Sequence, residues 1–234
     1  MTPRLSSPTK RYDVFFSTFR FNPVRRGAQR LIGSPHVLHA AVLASFPDPS
    51  ATESGRVLWR LDRAQNLAKL IVVSPAQPDF THLAEQAGWP TLSDSWTSVS
   101  YSKVLDRLEQ GQEYRFRLTA NPTHSPPPGA SEKRGKVYGH VTVARQEQWL
   151  LSRQERCGFA VLPDSGGEEL QLLVRDRTTI SFSRRETRVT LRVASYEGVL
   201  RVTDPDAFVR TLCGGIGRAK GYGCGLLTIA PARP

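Results

Sequence analysis

The chain has 234 residues, enough for one large domain or two small ones, and its 39% hydrophobic content supports packed cores rather than a disordered tail. Lys and Arg number 32 against 21 Asp and Glu, a formal charge of +11 that points to a polyanion, nucleic acid or an anionic membrane surface; the alternative is a solvated basic face with no partner. No apolar run approaches the roughly 20 residues of a spanning helix, MTPRLSSPTKRYD has no apolar leader segment, and Cys157, Cys213 and Cys224 form no zinc set, so a cytoplasmic protein without membrane span, metal or cofactor is expected.

Residues 1–11 are polar and predicted to be disordered. The aromatic run DVFFSTFRF within Tyr12–Phe21 reads as a strand, and FNPVRRGAQRLIGSP as a basic loop. Ser34-Pro35 is a helix start, with Ser as N-cap and Pro at the first helical position; the helix HVLHAAVLASF should stop before Pro47. Arg56–Leu61 and Leu67–Val73 are strands around a turn at Arg63–Asn66. Pro75–Ser98 reads as irregular, Val99–Leu108 as containing a short helix, and Glu113–Ala120 (EYRFRLTA) alternates as a half-buried strand should.

The order β, α, β, β, α, β is that of a ferredoxin-like unit, an arrangement shared with RNA-recognition modules. Asn121–Gly139, rich in Pro, Gly and basic residues, is the linker candidate, which divides the chain into units at 12–125 and 140–234 around a linker at 126–139. The second half repeats the theme: a helix over Ala144–Cys157 closed by Gly158, strands at Phe159–Leu162 and Leu170–Val174, then Thr178–Ser183 and Thr187–Val193 flanking the charged tip Arg184-Arg185-Glu186. Tyr196–Val202 continues the sheet, Asp204 caps a helix over Asp204–Cys213, and Gly225–Ala230 is the last strand. The predicted class is α+β, two tandem ferredoxin-like βαββαβ domains.

His36 and His39, three residues apart, are neighbours on one helix face, opposite the apolar side formed by Val37, Leu38, Ala41 and Val42. They sit in the first turns, where unpaired backbone N–H groups and the helix dipole favour phosphate. Imidazoles titrate near neutrality and can move the proton of a ribose 2′-hydroxyl or of a leaving 5′-oxygen, a reaction in which RNA supplies its own nucleophile. Two solvated surface histidines, or a zinc pair lacking its other ligands, are the alternatives. His82, His124 and His140 stand alone in or near loops. Arg25, Arg26 and Arg30 precede the histidine helix, and Arg175, Arg177, Arg184, Arg185 and Arg188 surround the hairpin of the second half; such forks suit phosphates and guanine edges, or keep an exposed strand edge from aggregating. GGIGRAKGYGCGLLTIAP follows a helix and precedes a strand, the reverse of a dinucleotide fingerprint, and Lys220 is followed by Gly, unlike a Walker loop. With Arg218 and Lys220 it can present backbone N–H groups to phosphate, or serve as a tight connection.

Four segments in chain order resemble the CasE family, the repeat-processing endoribonucleases of type I-E CRISPR systems. They are FNPVRRGAQRLIGSPHVLHAAV, YRFRLTANPTHS, SYEGVLRVTDPDAF and GGIGRAKGYGCGLLTIAP. The resemblance implies a tandem ferredoxin-like fold and metal-free cleavage on the 3′ side of a repeat stem-loop. Its products would be a 2′,3′-cyclic phosphate and a 5′-hydroxyl, with the mature CRISPR RNA retained among the other Cascade subunits. It implies neither a small-molecule ligand nor a membrane partner. The family's catalytic histidine falls on His39, and the tyrosine often found three residues earlier is here His36. Arg184 and Arg185 match the arginine hairpin, and Arg25, Arg26 and Arg30 the RNA-facing basic loop. The RNA-binding set is thus Arg25, Arg26, Arg30, Arg184, Arg185, Arg188, Arg218 and Lys220. A non-catalytic subunit that only binds the RNA hairpin is the alternative.

Overall fold

The computed structural model describes residues 13–48, 50, 53, 55–64, 67–89, 95–125, 137–184 and 187–232. The predicted N-terminal tail, the 185–186 hairpin tip and residues 126–136 of the predicted linker lie outside these. The first unit runs β1 (Phe15–Phe21), α1 (Arg26–Gly33), α2 (Pro35–Leu43), β2 (Leu58–Ala64), β3 (Leu67–Ser74), α3 (Thr81–Ala87) and β4 (Trp96–Ser100). Its strands pair antiparallel in the order β2-β3-β1-β4, the ferredoxin-like arrangement.

Three local expectations change. The basic stretch before α2 contains the helix α1, which buries Ala28 and Leu31; its N-cap, Arg25, makes no side-chain cap bond, which removes the usual start signal. Likewise α3 lies within the segment read as irregular, and Phe80 at its N-cap gives no side-chain bond. The fourth strand of the unit is β4, not Glu113–Ala120. None of its residues is fully buried, so its alternation is weak in the sequence. The short helix predicted after it is α4 (Ser102–Leu105).

Glu113–Ala120 is a strand, β5, but it belongs to the second sheet. After the short pair β6 (Thr123–His124) and β7 (Tyr138–Gly139) come α5 (Val143–Leu151), β8 (Phe159–Val161), β9 (Leu172–Arg184), β10 (Thr187–Val202), α6 (Pro205–Gly214) and β11 (Leu227–Pro231). The order β11-β5-β10-β8 repeats the first sheet's topology, with β9 added on β10. The sheets therefore divide the chain between β4 and β5, ahead of the predicted linker, because strand pairing and not loop composition sets the boundary. Gly158, at φ 75°, ends a 3-10 turn at Glu155–Cys157, and the Asp204 side chain accepts from the Ala207 N–H at 3.0 Å to cap α6. Beyond Ala194, where β5 ceases to pair with it, β10 has β9 alone as partner through Val193, so the two project as an arm. A register shift at the arm's base, with Asp176 at φ 50°, bends it relative to the sheet. Among the described residues no helix is long and apolar enough to cross a membrane.

The apolar run of β3 is buried on both faces. Leu70 and Val72 join a core with Phe19, Phe21, Leu38 and Val42 under the helices of the first unit. Ile71 and Val73, pointing the other way, join Phe116, Leu118, Trp149, Tyr196 and Phe208 in a core that runs through the second unit. The seam between units carries a buried charge. Arg60 on β2 is 2% exposed; its guanidinium bonds both carboxylate oxygens of Asp62, at 2.7 and 3.0 Å, and the carbonyls of Arg117 and Leu226, at 3.0 and 3.2 Å. Arg60→Ala leaves a carboxylate and two carbonyls without that donor, so urea unfolding should show a loss of about 3–5 kcal/mol; a loss under about 1 kcal/mol would refute the seam's dependence on this group.

Candidate functional site

Ser34 starts α2 as predicted: its backbone is extended at φ −134°, its Oγ accepts from the Val37 N–H at 3.4 Å, and Pro35 occupies the first turn. The helix buries Leu38 and Val42 against β1 and β3, which turns the histidines outward, His36 exposed and His39 half-buried. Facing α2 is the glycine-rich loop after α6, with a 3-10 turn at Lys220–Tyr222 packed on both α2 and β2. Gly221 comes so close that a Cβ there would lie 3.2 Å from His39 Nε2. Gly223, at φ 80°, is pressed on Trp59, where a Cβ would meet the indole at 2.8 Å.

Trp59, buried on β2, donates from its indole N–H to His39 Nδ1 at 3.3 Å, with the two rings inclined by only 21°. An indole nitrogen can only donate, so Nδ1 must accept, and the neutral imidazole carries its proton on Nε2. The edge of His39 nearest Gly221 is therefore a hydrogen-bond donor. A cleft of about 470 Å³ lies here, lined by His36, His39, Arg56, Arg218, Lys220 and Tyr222 with the loop backbone between them. Among the described residues no carboxylate lines it, so its field favours an anion. Lys220 donates to the Gly214 carbonyl at 2.6 Å, and burial, followed by the charge of Arg56, holds its ammonium below the ordinary lysine pKa.

Of the residues singled out in the sequence, the fold thus gathers His36, His39, Arg218 and Lys220. Arg56, Trp59 and Tyr222 join them without any local motif; the aromatic residues carried no signal beyond that of core formers. Arg25, Arg26 and Arg30 do not line the cleft. Arg25 instead donates to the carbonyls of Ala84, Glu85 and Gly88 at the end of α3, and Arg26 and Arg30 are exposed on α1. Arg188 is exposed on the arm opposite Ser183, Arg184 ends β9, and Arg185 lies outside the described residues. Arg175 is paired with Asp176 and Glu197 at 3.3 and 3.4 Å, and Arg177 with Gln146 and the Val141 carbonyl. His82 meets the Ala41 carbonyl at 3.1 Å, whereas His124 and His140 stack on each other rather than standing alone. The cysteines are unpaired; burial pushes the thiols of Cys213 and Cys224 up to about 11 and about 12, which leaves them poor nucleophiles.

Comparison with known proteins gives a consistent set. The profile of a family described as CRISPR associated protein matches residues 14–231. The CRISPR-associated endoribonuclease Cse3 of Thermus thermophilus is 31% identical over 219 residues, covering 90% of this chain and 96% of that protein. The CRISPR system Cascade subunit CasE of Escherichia coli is 29% identical over 160 residues, covering 66% and 76%. Among solved structures, Thermus thermophilus Cse3 bound to an RNA representing a pre-cleavage complex superposes with a TM-score of 0.77 at 28% identity, covering 94% of this chain and 100% of that one.

The geometry makes Trp59 the group that sets the His39 tautomer. Trp59→Phe keeps an aromatic ring on β2 and removes the N–H, so ¹⁵N shifts of His39 should report a gain of the Nδ1–H form of the neutral ring. Unchanged ¹⁵N shifts would mean that the indole bond does not control it.

Proposed function

This chain belongs to the family of CRISPR associated proteins, and from that premise we propose that it is a metal-independent endoribonuclease. It cleaves CRISPR precursor RNA on the 3′ side of the repeat stem-loop and keeps the mature RNA as a subunit of Cascade. The Cse3 relative is named an endoribonuclease and its structure holds an RNA, while the CasE relative is named a Cascade subunit. A cytoplasmic location accords with three unpaired cysteines.

The observation that carries the chemistry is the protonated Nε2 of His39, oriented by Trp59 into a cleft lined by cations. The RNA's 2′-oxygen attacks the adjacent phosphorus while the bond to the 5′-oxygen breaks, giving a 2′,3′-cyclic phosphate and a 5′-hydroxyl. His36, exposed on the same helix face, takes the proton from the 2′-hydroxyl. In its imidazolium form, in which Nδ1 has also taken up a proton and released the Trp59 N–H, His39 gives its Nε2 proton to the departing 5′-oxygen. Arg218 and Arg56 hold the phosphate and offset the charge that grows on its free oxygens. Arg188 on the arm, with the Arg184 and Arg185 that the family resemblance assigns to this role, grips the stem through phosphate and groove contacts, which positions the scissile linkage for in-line attack.

Cleavage of the repeat RNA in EDTA should give one cut with cyclic phosphate ends; a requirement for added magnesium would refute the mechanism. His39→Ala should keep RNA affinity and lose at least ~10²-fold in single-turnover rate. A substrate with sulfur in place of the departing 5′-oxygen needs no proton at that atom. It should restore cleavage by His39→Ala and not by His36→Ala, and the converse pattern would exchange the two roles.

A further inference from the structure

A second cavity, of about 730 Å³, adjoins the histidine cleft and shares Gly217, Arg218 and Lys220 with it. The glycine loop thus borders both cavities. Arg145, Arg153 and Arg156 line it together with His124 and His140, and among the described residues no carboxylate does. Arg153 is engaged within the fold: its guanidinium lies 4.4 Å from the Trp149 ring centre and donates to the Trp149 carbonyl. Arg145 and Arg156 are exposed.

The His124 and His140 rings stack with centres 4.8 Å apart and planes inclined by 25°, and Tyr138 stacks on His124 at 5.7 Å. The backbone holds this shelf still. β6 and β7 pair His124 with Tyr138, the His140 N–H donates to the Pro122 carbonyl, and the Gln146 side chain donates to the His140 carbonyl. Burial, then the charges of His124, Arg145 and Arg153, hold the His140 imidazole below its ordinary pKa, so at neutral pH it offers an uncharged face.

A base inside a duplex has both faces covered by its neighbours and cannot use such a shelf, whereas an unpaired nucleotide brings a free face and a phosphate together. We infer that this cavity is a binding subsite for an unpaired nucleotide flanking the RNA stem, its base extending the His124–His140 stack and its phosphates meeting Arg145, Arg156 and Arg218. The subsite rests on the RNA-processing reading above and adds a preference that neither histidine of the cleft supplies.

The test uses the full chain and two kinds of RNA: the bare repeat stem-loop, and the same stem-loop with unpaired flanks, a 2′-deoxy sugar at the scissile linkage and 2-aminopurine on one flank or the other. Binding should quench the probe on one flank. His124→Ala should relieve that quenching and weaken the flanked RNA on the order of tenfold; it should leave the bare stem-loop bound as by the unaltered protein, and His124→Tyr should restore the quenching. Equal affinity of the unaltered protein for both RNAs, or equal weakening of both by His124→Ala, would overturn the subsite while leaving the endoribonuclease reading intact. Binding of neither RNA would overturn both.

Discussion

The arrangement depends on one strand, β2, which presents consecutive residues to the two sides of the seam. Arg60 points toward the second unit and fixes it through the carbonyls of Arg117 and Leu226, while Asp62 neutralises the buried charge. Trp59, one residue earlier, faces the other way, into the helix-side core, where it meets His39 and Gly223. Successive side chains on a strand alternate, so the register that docks the sheets also orients the imidazole. A buried guanidinium has strict geometric demands and is costly to leave unpaired, which makes it suited to holding a register rather than merely adding stability.

Electrostatics divide the surface into regions of different use. At the base of the arm Arg117 lies within 3.4–3.8 Å of Asp62, Asp176 and Glu197, and Arg175 is paired with Asp176 and Glu197. These cations are balanced locally and stiffen the bend. Among the described residues, the histidine cleft and its neighbouring cavity have cationic linings without carboxylates. The glycine loop borders both cavities and bears Arg218 and Lys220 on both. The same loop owes its course to glycines that let it approach His39 and Trp59 closely, so one segment supplies cationic side chains, backbone and space for the imidazole.

Much of the fold and part of the site were legible in the chain. The Ser34-Pro35 start, the outward histidines, the Asp204 cap, Gly158 and most strands follow from capping chemistry and periodicity, which act over a few residues. The weakly signalled elements α1, α3 and β4 did not stand out because their starts lack capping side chains or their faces are half-covered. The cationic balance, the histidine pair and the glycine loop were legible because charge and side-chain chemistry are properties of composition and spacing.

Tertiary structure decided everything that depends on pairing across long sequence separations. The assignment of β5 to the second sheet rests on bonds to β10 and β11, far along the chain. The same holds for the engagement of Arg25 with α3, the pairing of Arg175 with carboxylates, and the bond from Trp59 that determines which nitrogen of His39 carries the proton. Sequence determined which groups with the needed chemistry were present; packing determined which of them meet, because a side chain's partner is set by the docking of whole sheets and not by its neighbours in the chain.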